Sequence, residues 1–118
     1  MTEPALDPAV LDSLRQLNQE GEPDVVTEVL ILFRDDVPGR IAQLAAAAAA
    51  RDETALHRTA HSLKGSAGNV GAHRLHALCR DLEAHAKAGR LDDAAGLVAA
   101  VEAEFRRVEA EIPRYLVD

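Results

Sequence analysis

Residues 60–72 read AHSLKGSAGNVGA and determine how the chain around His61 folds. A lysine follows this histidine three residues later, and glycines follow four and seven residues later, at Lys64, Gly65 and Gly68. At about 100° per residue, these four positions lie on one stripe of a helix. The stretch therefore predicts a helix that presents an imidazole beside a cation, with two nearby positions that have no side chain.

The apolar residues of the same segment lie on a different side of the predicted helix. Relative to His61 at zero, they cluster between about 200° and 260°. They are Leu56, Ala60, Leu63 and Ala67. Because this stripe would face the core, the imidazole of His61 is expected at the protein surface.

The two glycines need an explanation, since a glycine inside a helix costs about 1 kcal/mol relative to alanine. One explanation is access, because a bare stripe lets another macromolecule approach the imidazole closely. The alternative is structural: Gly68 would cap the end of the helix, and Gly65 would let a neighbouring helix pack closely. The sequence leaves both open.

Outward from this segment, the preceding chain predicts two helices. Asp7-Pro8 is a typical helix start, with an N-cap followed by proline in the first turn. Residues 21–24 (GEPD) end this short helix and begin a longer one. Pro38-Gly39 should bend the longer helix without breaking it, because the apolar period resumes afterwards. The alanine run at residues 45–50 is read as its end.

Three further helical segments complete the pattern. Asp52 is a candidate cap for the helix that carries His61, which should reach about Gly68 and be followed by a turn at residues 69–71. The next helix should end at Gly89. Asp92 is then expected to cap the last helix, with Ile112 still inside it. Four long amphipathic segments with short connections predict an all-α, up-down four-helix bundle, with the additional short N-terminal helix over one end.

Composition agrees with a single domain over residues 1–118, with a flexible tail at residues 1–6. The chain is 47% hydrophobic but only 3% aromatic, which favours closely packed helices, and a monomer is the expected state. Its one cysteine, Cys79, excludes an internal disulfide and falls on the apolar stripe of its helix. We find no apolar run of membrane-spanning length and no secretion signal, which predicts a cytoplasmic protein without a membrane segment.

The net charge of −7 argues against nucleic acid as the partner. The surroundings of His61 differ from this global balance, because His57, Arg58 and Lys64 form a small cationic neighbourhood. Such a neighbourhood suits an acidic partner site or a phosphoryl group, although ordinary charges on a solvated helix face would look the same.

A polar stripe on the following helix offers a partner for the imidazole. Glu83 lies on a flank next to the core face and is a candidate to accept a hydrogen bond from Nδ1 of His61. That bond would fix the tautomer and leave Nε2 free as a nucleophile. The alternative is an exposed carboxylate paired with Lys87 one turn later.

The pattern resembles the histidine-containing phosphotransfer (HPt) domain, in which a phosphoryl group is carried by a histidine on a helix. The resemblance covers most of the chain and shares the bundle architecture. A glutamine or glutamate follows the histidine in this family at about the spacing of Glu83, and the glutamate form resembles the phosphotransfer domains of chemotaxis kinases. The matching positions are Ala60-His61, Leu63 to Ala67, Gly71-Ala72, Leu75, Leu78-Cys79 and Leu82-Glu83.

The resemblance implies that His61 is the phosphoacceptor of a two-component phosphorelay, with Lys64 and Glu83 assisting it. The chain would be a carrier rather than an enzyme and would need no cofactor of its own. The aspartate, the Mg²⁺ and most of the catalysis would come from the receiver domain of a response regulator, and a sensor or hybrid histidine kinase would lie upstream. Docking is expected over Thr54, His57, Arg58, Gly65 and Gly68, with Lys87 at the edge.

Two other interpretations remain. The first is an HPt-like helical binding module that carries no phosphate. The second is a metal-binding bundle, since Glu53, His57 and His61 are spaced four residues apart, although their stripe points away from the core. The sequence also leaves open whether the chain is a free-standing shuttle or one domain of a larger kinase.

Overall fold

The computed structural model of the chain describes residues 3–117 and contains five α-helices followed by one 3₁₀ turn. Within this range there is no β-strand, and the all-α prediction is confirmed. The elements are α1 (Pro8–Arg15), α2 (Val25–Ala49), α3 (Glu53–Asn69), α4 (His73–Lys87), α5 (Ala94–Glu111) and the 3₁₀ turn Ile112–Tyr115.

The four long helices form the bundle. Helix α3 packs between α2 and α4, and α5 closes the opposite side by packing on the same two helices. The connections between consecutive long helices are short, which makes neighbours antiparallel. The short helix α1 packs against α2, outside the four-helix core.

The predicted apolar stripes face the interior. The four apolar residues of α3 are fully buried, and their counterparts on α4 are equally inaccessible. Cys79 is one of these residues of α4. Its burial, and to a smaller extent the negative charge of Glu83, raise the pKa of its thiol to about 12. The residues concerned are Leu56, Ala60, Leu63 and Ala67 on α3, and Leu75, Cys79, Leu82 and Ala86 on α4.

Aspartates define three of the helix starts. Asp7, Asp24 and Asp52 each accept a hydrogen bond from a backbone amide of the first turn, at 2.9, 2.9 and 3.1 Å. The prediction for the last helix was wrong, because Asp93 rather than Asp92 occupies the N-cap of α5 and makes no capping bond through its side chain. The side chain of Asp92 instead lies 3.2 Å from Arg51.

Helix α2 continues through Pro38 to the alanine run, as expected from the resumed apolar period. Val37, before the proline, and Ile41, after it, are buried, whereas Pro38 itself is exposed. The parts of α2 before and after Pro38 therefore both pack into the core and remain one continuous helix. At the other end of the chain, Ile112 is buried with the apolar residues of the last helix but lies one residue beyond α5, which ends at Glu111.

The N-terminal segment differs from the flexible tail expected at residues 1–6. Ala5 and Leu6 are buried, and their amides donate to the carboxylate of Glu111 at 2.7 and 3.0 Å. These apolar side chains belong to the hydrophobic core, so residues 5 and 6 are packed against the bundle. Met1 and Thr2 lie outside the described residues.

The turn between α3 and α4 fixes the relation of the two helices that carry the candidate site. Helix α3 extends to Asn69, one residue beyond the expected end, and Gly71 then adopts a φ of 76°. The carbonyl of Gly71 accepts a bond from the amide of Asp7 at 3.0 Å, which ties the turn to α1. A Cβ at Gly71 would lie 2.9 Å from Cβ of Val10, so a side chain does not fit.

Within residues 3–117, no helix combines the length and the apolar character needed to cross a bilayer.

We predict that Gly71→Ala destabilises the protein by about 2 kcal/mol, because it strains the backbone and overlaps Val10. The measurement is the free energy of unfolding in urea. Gly39→Ala is the matched control: it lies inside α2 with open space around its Cβ position and should leave stability unchanged or raise it by up to about 1 kcal/mol. Equal effects of the two substitutions would contradict this account of the turn.

Candidate functional site

His61 lies in the middle of α3 with its side chain 64% exposed. One turn later, Gly65 has open space where a Cβ would be, with no atom within 4 Å. Gly65 therefore does not serve the close packing of a neighbouring helix. Its missing side chain instead leaves the approach to the imidazole open, in agreement with the access explanation.

Glu83 reaches the imidazole from the neighbouring helix. Its Oε2 and Oε1 lie 3.2 and 3.3 Å from Nδ1 of His61. Glu83 follows the buried Leu82 on α4, so it stands at the edge of the α3–α4 interface with only 18% of its side chain exposed. The carboxylate thus points at α3 and not along its own helix toward Lys87.

Two further cationic or titratable side chains share the same carboxylate. Nζ of Lys64 lies 3.0 Å from Oε2, and Nε2 of His57 lies 3.8 Å from Oε1. Partial burial raises the pKa of Glu83, but the bonds from Lys64 and His61 outweigh this effect and leave the pKa below its ordinary value. Glu83 is therefore a carboxylate at neutral pH.

The charge state of Glu83 determines the tautomer of His61. An ionised carboxylate can only accept hydrogen bonds, so Nδ1 of His61 must carry a hydrogen. In the neutral imidazole, Nε2 then keeps its lone pair. The site accordingly presents a nitrogen nucleophile at an exposed position, with its ring oriented by α4.

An open groove of about 640 Å³ runs beside the imidazole between α3 and α4. It brings together four of the residues predicted to meet a partner, namely Thr54, His57, Arg58 and Lys87, with His61. Arg58 and Lys87 add two positive charges to this groove and Glu53 adds one negative charge, so the groove carries net positive charge although the whole chain is acidic.

The predicted residues not in this groove have different surroundings. Lys64 is three-quarters buried and engaged with Glu83, so it does not extend freely into solvent. Gly68 is covered by His76 of α4, whose Nδ1 would lie 3.2 Å from a Cβ and bonds the carbonyl oxygen of Lys64 at 3.0 Å. Gly68 is neither bare nor a cap; it makes room for this interhelical contact.

Sequence reasoning missed the packing role of His76, although its position on the same flank as Glu83 was a usable signal. It also missed Arg40 of α2, whose guanidinium contacts the hydroxyl of Ser62 next to His61. No sequence spacing connects these two residues, since they meet only when α2 and α3 pack together.

The other histidines have structural partners. Nε2 of His73 lies 2.8 Å from the carboxylate of Asp7, and Nδ1 of His85 lies 2.8 Å from the carbonyl oxygen of Asp81. Among residues 3–117, no group of three or more histidine, cysteine or acidic side chains has the arrangement of a metal site. Glu53, His57 and His61 therefore do not converge as the metal-binding interpretation requires.

Comparison with known proteins identifies the family. Residues 28–111, more than half of the chain, match the family model of the Hpt domain. The chain belongs to this family. Its fold is similar to that of histidine-containing phosphotransfer protein B (HptB) from Pseudomonas aeruginosa PAO1, with a TM-score of 0.86, 35% identity and coverage of 96% of this chain and 95% of that one.

Two relatives from Arabidopsis thaliana are also similar in sequence. Histidine-containing phosphotransfer protein 2 is 29% identical over 102 residues, which cover 84% of this chain and 65% of that protein. Histidine-containing phosphotransfer protein 5 is 38% identical over 69 residues, covering 56% of this chain and 44% of that protein. The chain thus spans less than two thirds of the length of either plant relative.

The bond to Glu83 predicts the protonation pattern of His61. In the wild type the neutral ring should be mainly the Nδ1–H tautomer, and Glu83→Ala should lower the ratio of Nδ1–H to Nε2–H roughly tenfold, because a charge-assisted hydrogen bond is lost. Nitrogen-15 NMR of the imidazole above neutral pH measures this ratio.

Glu83→Gln and His85 provide the controls for this experiment. Glutamine at position 83 keeps an oxygen acceptor and should retain most of the preference. The tautomer of His85, which bonds within its own helix, should not respond to either substitution. A ratio at His61 that is the same in the wild type and in Glu83→Ala would contradict the bond.

Proposed function

We propose that the chain carries a phosphoryl group on His61 and exchanges it with the aspartate of a response-regulator receiver domain. The observation that carries this proposal is the exposed imidazole whose Nδ1 faces the Glu83 carboxylate while Nε2 is directed away from it. A nucleophile of this kind, on a rigid helix and beside an open approach, can reach a phosphoryl group held by another protein. Membership of the Hpt domain family and similarity to proteins named for phosphotransfer support it.

The transfer step follows from the tautomer. The lone pair of Nε2 attacks the phosphorus of an aspartyl phosphate, the bond from phosphorus to the carboxyl oxygen breaks, and the aspartate leaves as a carboxylate. The new N–P bond puts positive charge on the imidazole, whose Nδ1–H remains bonded to Glu83. The carboxylate of Glu83 therefore stabilises the charge that develops during transfer. The reverse step returns the phosphoryl group to an aspartate.

Cationic side chains can offset the charge of the incoming phosphoryl group. Lys64 has three N–H donors and uses one on Glu83, so its ammonium can also serve a phosphoryl oxygen on the same helix face. Arg58 and Lys87 line the adjoining groove. We assign Lys64 the role of phosphate partner and Lys87 and Arg58 that of docking residues, together with Thr54 and His57.

The remaining parts of the reaction belong to the partner. Phosphoryl transfer between an aspartate and a histidine needs a metal ion to offset charge on the phosphoryl oxygens, and we place Mg²⁺ and the aspartate on the receiver domain. In this proposal the chain needs no cofactor of its own and acts as a carrier between a sensor or hybrid histidine kinase and the receiver. It would do so as a monomer.

The direct test is transfer from a phosphorylated receiver domain in the presence of Mg²⁺. The wild-type chain should acquire acid-labile, alkali-stable phosphate, His61→Gln should acquire none, and His85→Gln should behave as the wild type because His85 lies on α4 and bonds its own backbone. Label on His61→Gln would place the acceptor elsewhere. Absence of label from the wild type with several receivers would favour a helical binding module without phosphate.

The open space at Gly65 predicts a second result. Gly65→Gln should slow transfer from the receiver by at least about tenfold, because a side chain there obstructs the approach to His61. Gly96→Gln, on α5 and equally free of neighbours, is the matched control and should leave the rate unchanged. The rates of the two variants are measured by quenching the reaction at a series of times and counting the label on His61. Equal rates for Gly65→Gln and Gly96→Gln would contradict the access explanation.

A further inference from the structure

A second histidine stands beside the proposed phosphoacceptor. His57 precedes His61 by one turn of α3, and the two imidazole rings are nearly parallel, with 9° between their planes and 6.2 Å between their centroids. Nε2 of His57 also approaches Oε1 of Glu83 at 3.8 Å. His57 thus stacks beside the ring of His61 and lies near the carboxylate that orients it.

The two oxygens of Glu83 are shared unequally among these partners. Nδ1 of His61 lies 3.2 Å from Oε2 and 3.3 Å from Oε1, the ammonium of Lys64 lies 3.0 Å from Oε2, and Nε2 of His57 lies 3.8 Å from Oε1. At 3.8 Å the two atoms form an ion pair rather than a hydrogen bond, so a protonated His57 attracts Oε1 without displacing Lys64 from Oε2. It would then fix the carboxylate in the rotation that serves Nδ1 of His61.

The other charged groups around His57 come from the two helices that form the groove. Those on α3 lie in the neighbouring turns of the same helix, and those on α4 lie on the other side of the groove. The apolar Ala86 of α4 also lines the groove. Both positive and negative side chains surround His57, so a protonated His57 has more than one charged neighbour. The charged and titratable groups are Glu53, Arg58, His61 and Lys64 on α3, and Glu83 and Lys87 on α4.

We propose that His57 is a positioning residue which, when protonated, strengthens retention of the phosphoryl group on His61, so that retention rises as the pH falls. This inference rests on the proposed function of His61. Histidine changes charge between about pH 5 and pH 8, within the range where cells and their compartments vary. The chain would thus respond to pH in how it shares phosphate with its partner.

The sign of the effect follows from charge balance at His61. Phosphoryl oxygens carry about two negative charges, and the phosphorylated ring carries at most one positive charge, so transfer makes this side chain more negative. A positive charge on His57 stabilises the product more than the free imidazole. The two ring centroids are 6.2 Å apart, and one unit of net charge at about this distance changes such an equilibrium about threefold when it is screened as in water.

The experiment measures how phosphate divides between this chain and one receiver domain at equilibrium. Wild type and His57→Gln are compared at about pH 6 and about pH 8.5, on either side of the range in which histidine titrates. Because the receiver is the same in both mixtures, its own pH dependence cancels in the ratio of the two equilibrium constants. The expected ratio of wild type to variant is about threefold at the lower pH and close to one at the higher pH.

Two further variants keep the result interpretable. His57→Lys holds a positive charge at both pH values and should exceed His57→Gln about threefold at each. His85→Gln removes a histidine from the neighbouring helix away from the groove and should match the wild type throughout. Agreement of all three comparisons supports the role of His57.

Two outcomes would overturn the inference in distinguishable ways. If His61 is labelled but the ratio of wild type to His57→Gln is the same at both pH values, His57 contributes packing only, while the proposed function stands. If the wild type takes no label at either pH, the proposed function fails and the role of His57 fails with it.

Discussion

The contact between the Glu83 carboxylate on α4 and the Nδ1 of His61 on α3 is the interaction on which the site depends. It spans 3.2 Å, and it simultaneously orients the ring and selects the tautomer that leaves Nε2 free. The same carboxylate holds Lys64 at 3.0 Å. One acidic side chain at a helix–helix edge thus organises the nucleophile and a cation beside it, while the side chain of His61 stays 64% exposed.

The contact is possible because α3 and α4 are locked at a fixed separation. Helices α3 and α4 pack closely along their length, and the small residues Ala60 and Ala67 of α3 are fully buried. Gly68 accepts the ring of His76, which bonds the backbone of α3. Gly71 reverses the chain with a backbone conformation and a close approach to α1 that exclude a side chain. The active geometry is therefore supported by packing and by the turn, on rigid elements rather than on a loop.

Much of this arrangement could be predicted from periodicity. The apolar stripe of α3 predicted both the core side and the exposure of His61, and the flank position of Glu83 predicted which helix would meet the imidazole. Periodicity shows on which face of a helix a residue lies, but not which rotamer its side chain adopts or which other side chains compete for the same partner. It could not choose between Lys87 and His61 as partners of Glu83, show that Lys64 shares that carboxylate, or show that His76 fills the space over Gly68. Errors at Asp92 and in residues 5 and 6 have a similar origin, since capping and terminal packing depend on tertiary contacts.

The central claim is that Glu83 occupies the Nδ1 side of His61 and so directs phosphorylation to Nε2. Nitrogen-15 and phosphorus-31 NMR of the phosphorylated protein can identify the nitrogen that bears the phosphoryl group, through its coupling to phosphorus. The account predicts coupling at Nε2 of His61, with Nδ1 still protonated against Glu83. Coupling at Nδ1 would contradict it, because the phosphoryl group would then have to displace the carboxylate that the structure places there.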